Sequence, residues 1–182
     1  MKKLSRRSTV VTGSAVLAAV AAGTFGTVSA AASAPAASSA PASAARSSAT
    51  MTTTHLTLDS ATKAAEAALD AAKKENQKVS VAVVDRDGNT ILTLRGDSAG
   101  PQAYEAAEKK AFTAVSWNAP TSELAKRLDK APTLKDIPGT LFLGGGAPVA
   151  VKGAPIAGIG VAGTPSGDLD EKFAQAGVAA LR

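Results

Sequence analysis

One strand-like stretch, "IAGIGVAG" at Ile156–Gly163, narrows the folds open to this chain more than any other. Gly158 and Gly160 alternate with Ile159 and Val161, so an extended segment here shows β-branched side chains on one side and bare backbone on the other. Bare backbone lets a neighbouring helix or subunit approach the sheet closely. The same letters spell G-x-G-x-x-G, but a dinucleotide-binding turn must open a helix, reach a second parallel strand and meet an acidic residue ~20 positions on. Only 19 residues follow Gly163 and no acid lies at that distance, so the glycines are read as packing residues. "GGG", Gly144–Gly146, is read as a turn, since neither a following helix nor a GK[ST] accompanies it.

The segments around this strand have clear punctuation. Asp59 is placed to cap a helix with the body "SATKAAEAALDAAKKENQ", and Lys73 and Lys74 suit its C-terminal end. "VSVAVVD", Val79–Asp85, and "TILTLR", Thr90–Arg95, flank "DRDGN" and read as an antiparallel hairpin. Pro101 fits the first position of a helix running to Trp117, and a short helix is expected over Thr121–Asp129. Three further strands are expected at Leu141–Leu143, Pro148–Lys152 and Ile156–Val161. "DLDEKFAQAGVAALR" closes the chain as a helix, with Asp168 and Glu171 at capping-box spacing. The order predicts an α+β fold: three layers, α/β/α, with a central antiparallel sheet of about five strands and helices on both faces.

The 182-residue chain carries a formal charge of +5, and the location of that charge matters. Lys2, Lys3, Arg6 and Arg7 stand in a first stretch of 30 residues without acids, whereas from Ala31 onward 16 basic residues face 15 acidic ones. A basic start, a modestly apolar run and a small-x-small end at Val28-Ser29-Ala30 read residues 1–30 as a signal peptide, and paired Arg6 and Arg7 favour the twin-arginine route. Residues 31–54, nearly all Ala, Ser, Pro and Thr, read as a disordered tether, because they offer little apolar surface to bury. Residues 55–182 are then one domain, expected to be secreted, near neutral and without a nucleic-acid partner. There is no Cys, so this domain must hold without disulfides.

One His and no Cys exclude a His-based metal cluster, a Cys-His dyad and c-type haem attachment within a chain. His55 is the one strong nitrogen ligand. Glu105 and Glu108 share a helix face and could hold ferric iron, although Glu105 also stands four residues before Lys109, the spacing of a surface ion pair. Lys109, Lys110, Thr113 and Trp117 fall toward one side of the same helix, gathering cations and an indole. Arg95 and Asp97 could line the same cleft.

Three blocks in order, "SVAVVDRDGNTILTLRGD", "AYEAAEKKAFTAVSW" and "GGGAPVAVKGAPIAGIGVAGTPSGDLDEKFAQAGVAAL", resemble the GlcG/HbpS-type haem-binding family, especially its secreted actinobacterial members. The resemblance covers His55–Leu181. It implies helices on both faces of an antiparallel sheet, assembly into a homo-oligomer, as large as an octamer, and haem as the ligand. It further implies Thr113 as a haem-binding residue and an acidic motif of the Glu105/Glu108 sort for iron; the reading of the residues adds His55 as a candidate axial ligand, Lys109 and Lys110 as cations for propionates and Trp117 as an indole for stacking. In the secreted members it also implies redox and haem sensing beside the membrane sensor kinase of a two-component system. The competing functions are a sensor of another small molecule and a haem-degrading enzyme, but no general acid-base pair stands out in the sequence.

Overall fold

A computed structural model describes residues 44–182. The expected signal peptide and residues 31–43 of the expected tether lie outside the described residues. Residues 44–54 carry one 3-10 turn, Ser47–Ala49, and bury no side chain. Among the described residues no helix is long and apolar enough to cross a membrane.

Helix α1, Leu58–Lys74, starts two residues earlier than Asp59 would allow as its cap. The cap is Thr57, whose hydroxyl accepts the Ser60 amide at 3.2 Å, while Asp59 lies in the first turn where its charge still suits the helix end. Ala61, Ala64, Ala65, Ala68 and Ala72 form its buried stripe. Side chains this small let a helix lie close to what it covers.

The sheet has four strands, β1 (Ser80–Asp85), β2 (Thr90–Arg95), β3 (Gly146–Val151) and β4 (Ala154–Ala162), all antiparallel in the order β2-β1-β4-β3. The count of about five is therefore corrected to four: Leu141–Leu143 is not a strand. The Leu141 amide goes to the Thr113 hydroxyl at 2.8 Å and the Leu143 amide turns back onto the Leu141 carbonyl at 2.9 Å, so neither joins a ladder. Phe142 instead packs into a small cluster with Leu124 and Trp117. Pro148 sits on the edge strand β3, where a missing amide is tolerated.

Alternation sorts the two faces of the sheet. Val81 and Val83 of β1 with Ile159 and Val161 of β4 enter a core shared with α1 and with α4, Gly167–Ala179. Ala82, Val84 and Ala162 face α2, Pro101–Trp117, through Ala103, Ala107 and Ala111. Gly158 and Gly160 lie under that helix: a Cβ on Gly158 would overlap the Ala111 carbonyl oxygen, and one on Gly160 the Ala107 carbonyl oxygen. The glycine face of the strand thus exists to seat α2 on the sheet, and the layers are α/β/α.

The short helix appears as α3, Thr121–Ala125, continued by a 3-10 turn at Lys126–Asp129. The Asp168–Glu171 capping box does not form. Ser166 takes the cap position without a side-chain bond, Asp168 is exposed, and Glu171 is turned inward to accept the Ser122 amide at 2.9 Å and hydroxyl at 2.6 Å.

Candidate functional site

Helix α2 carries most of the residues singled out in the sequence, and the structure divides them between its two sides. Glu105 and Lys109 lie outward, one helical turn apart, and meet at 2.6 Å. The hydrogen bond from Lys109, helped by its charge, holds the Glu105 carboxyl below the usual carboxylate range. Glu108 is partly buried and accepts the Thr93 hydroxyl at 3.0 Å, so β2 fixes its position. The two carboxylates share a face, but each already has a partner.

Thr113 and Lys110 are on the inward side. Thr113 has no exposed surface; its hydroxyl donates to the Lys109 carbonyl at 2.7 Å and accepts the Leu141 amide. Reaching a ligand would require the Leu141 segment to move. Lys110 is 2 % exposed and its ammonium donates to Asp170 at 2.7 Å and to the Val161 carbonyl at 3.1 Å. It joins α2 to β4 and α4 and is not presented with Lys109. The expected gathering of Lys109, Lys110, Thr113 and Trp117 on one accessible side is therefore not what the helix shows. Trp117 is half-buried, edge-on to Phe142 with centroids 5.8 Å apart, and Arg127 lies over its ring at 5.7 Å.

A cleft of about 160 Å³ opens beside the outward face, with Phe112, Glu108 and Lys109 on the helix and Gly88 and Gly139 opposite. Phe112 is its floor: a Cβ on Gly88 would stand 2.8 Å from the ring edge. Phe112 escaped the sequence reading, although its position three residues after Lys109 was a usable signal. Arg95 and Asp97 do not line this cleft. The Arg95 guanidinium donates to the Ala99 carbonyl at 2.8 Å, and Asp97 borders a separate cleft with Lys73 and Lys78 at the end of α1.

His55 stands apart from α2, just before α1, at the turn of the β1–β2 hairpin. It is exposed; its Nε2 lies 2.7 Å from the Thr53 hydroxyl and 3.8 Å from the Asp87 carboxylate. Asp85, at the other side of this turn, accepts the Asp87 amide at 2.9 Å and the Asn89 amide at 2.8 Å. Burial alone would raise its pKa, but these bonds, the Asn89 side chain and the His55 charge outweigh burial and lower it.

Of the glycine run read as a turn, Gly144 and Gly145 lead into β3 and Gly146 is its first residue. The Gly145 amide approaches Glu171 at 3.4 Å and the Gly146 amide donates to the Thr121 hydroxyl at 2.7 Å, so side chains of the domain occupy the donors a phosphate would need. Asp170 and Glu171, which the sequence reading missed as partners, tie this turn and Lys110 to α4.

These features define a small three-layer α+β domain with a cleft on one helix face and, among the described residues, no nucleotide-binding turn. The chain belongs to the HbpS-like family: the family model described as haem degrading protein HbpS-like matches residues 56–179. A crystal structure of Streptomyces reticuli HbpS, with two glutamates three residues apart replaced by aspartate, is 71 % identical with TM-score 0.76, covering 77 % of this chain and 96 % of that one. A PduOC:heme complex is 28 % identical with TM-score 0.64, covering 70 % of this chain and 95 % of that one. A 15.0 kDa protein of Citrobacter freundii from the dhaT-dhaS intergenic region is 33 % identical over 112 residues, 59 % of this chain and 79 % of the relative.

Proposed function

We propose that this chain is a secreted haem-binding protein that sequesters or senses haem and iron outside the membrane. The observation that carries the reading is the family match over nearly the whole domain, joined to a 28 % identical chain whose structure is a haem complex. The exported state rests on the basic leader with Arg6 and Arg7, and a sensor kinase of a two-component system as partner on the secreted relatives alone.

The surface clefts hold between about 160 and 430 Å³. A drug-sized ligand commonly occupies ~300–1,000 Å³ and haem is a large one, so one chain offers a wall for it more than an enclosure. The outward face of α2 fits the ring with Phe112 and a propionate with Lys109. A second copy closing over that face fits the homo-oligomer expected of the family, and half-exposed Tyr104 on the same helix is available to it. Bound there, haem would supply the redox chemistry of its iron, while Phe112 orients the ring and Lys109 neutralises an acid group. Thr113 supports this wall from behind by holding Leu141. Glu105 and Glu108 are the iron-binding pair in this reading. They are the only two glutamates three residues apart in the sequence, the spacing of the pair replaced in the HbpS variant.

Hemin titration of the full chain is the test. A saturable Soret band, weakened about tenfold or more by Lys109→Ala and Phe112→Ala, is expected; a chain that stays without such a band ends the haem reading. The family description favours a second reading, haem degradation. With hemin, a reductant and dioxygen, loss of the band with release of a ring-opened tetrapyrrole supports it, and persistence of the band supports storage or sensing.

A further inference from the structure

The hairpin turn brings the chain's single imidazole to two carboxylates that lie about thirty residues further along. His55, Asp85 and Asp87 each offer one ligand atom, and these atoms all lie within 4.8 Å of one another. We propose that this cluster binds one divalent transition-metal cation, at a place separate from the glutamates of α2.

The chemistry of the donors selects the ion. One imidazole nitrogen and two carboxylate oxygens suit a borderline cation such as zinc or copper better than calcium or magnesium, which favour an all-oxygen shell. Bonds of ~2.0–2.2 Å in a tetrahedral site put ligand atoms roughly 3.3–3.6 Å apart, so the present spacing must contract by about an ångström. The cluster can do this. Asp85 is held in place by the Asp87 and Asn89 amides, which act on one of its oxygens, while the other accepts only the Asn89 side chain at 3.2 Å. His55 and Asp87 have side chains 42 % and 58 % exposed and are 3.8 Å apart, so both can rotate toward a shared ion, His55 giving up the exposed contact of its Nε2 with the Thr53 hydroxyl at 2.7 Å. One fixed carboxylate and two adjustable groups form a site that closes on its cation. The two carboxylates also bring negative charge for the ion to neutralise.

Three protein ligands leave a coordination position open. The residue after Asp87 is Gly88, which lies on the ring of Phe112, so the ion would stand at the border of the α2 cleft. The cluster itself does not depend on haem occupying that cleft.

Zinc chloride titration of the full chain, followed by NMR of the imidazole, reads the site directly. The sequence has one histidine, so the Cε1–H and Cδ2–H signals belong to His55 without assignment. A saturable shift at one zinc per chain is expected, unchanged in Glu105→Gln/Glu108→Gln and weakened about tenfold or more in Asp87→Asn, the scale on which even outer-shell partners act. Asp85→Asn also removes a brace of the turn, so Asp87→Asn decides. Imidazole signals that stay still with zinc, an Asp87→Asn chain that titrates like the parent, or loss of the shift in the glutamate variant would each overturn the proposal.

Discussion

A lysine ammonium buried as fully as that of Lys110 persists only where acceptors are turned toward it, and Asp170 and the Val161 carbonyl are. Removing one partner leaves a buried charge uncompensated. Asp170→Asn is expected to lower stability by about 3–5 kcal/mol in urea unfolding, and replacing both members together, Lys110→Met with Asp170→Leu, to recover most of it. A double variant as unstable as the single one would show that the pair is not the cause. Thr113 acts on a smaller scale: Thr113→Val removes the acceptor of the part-buried Leu141 amide at a cost of about 1 kcal/mol, whereas Thr113→Ser retains the bond. Asp85 has a lowered pKa in the fold, so its bonds stabilise the protein above the unfolded carboxyl value of about 3.9 and fade as pH falls through the folded value. The stability gap between the parent and Asp85→Asn should therefore shrink between about pH 6 and about pH 3, measured by urea midpoints. The buried lysine was foreshadowed in the sequence. Lys110 falls in line with Ala103, Ala107 and Ala114 on an apolar stripe, and a charge in such a stripe implies a hidden acid. Which acid it was depended on α4 folding back over the sheet, beyond any local spacing.

At the scale of elements, two glycines set how near α2 lies to the sheet. Gly158→Ala and Gly160→Ala should each cost about 3 kcal/mol or more, because the added methyl meets a helix carbonyl and the helix must lift. Gly153 gives the contrast: a methyl there meets nothing within 4 Å and faces only the strain of φ +82°, so Gly153→Ala should cost about 1 kcal/mol. Equal losses at the three positions, read by thermal unfolding, would show that closeness to α2 is not the governing factor. This packing was legible, since alternating Gly with Ile and Val states it outright. So were the β1–β2 hairpin and Pro101 as the first residue of α2. Leu141–Leu143 was misread because three apolar residues look alike in a strand and in a loop that packs inward. The amide partners that decide between the two, Thr113 for Leu141 above all, lie far off in the chain. The candidate site was only half legible for a related reason. Helical spacing places residues around α2 but cannot say which side meets the sheet, so Lys110 was grouped with Lys109, and Phe112, the floor of the cleft, went unnoticed.

For the whole molecule, the sheet is shared by two cores, one with α1 and α4 and one with α2, and Trp117 carries α2 into the small cluster around Phe142, so the layers are expected to melt together. Trp117, the only tryptophan, reports on that cluster, whereas far-UV circular dichroism reports on all helices. The two should trace one transition, and an earlier loss of the Trp117 signal would mark the α3 region as a separately melting unit. The glycine seat has a further consequence. A helix whose backbone already touches a sheet has no slack to slide or tilt, so whatever docks on its outer wall meets a rigid template. What that wall accepts can then be changed only by exchanging outward side chains, with the scaffold beneath held still.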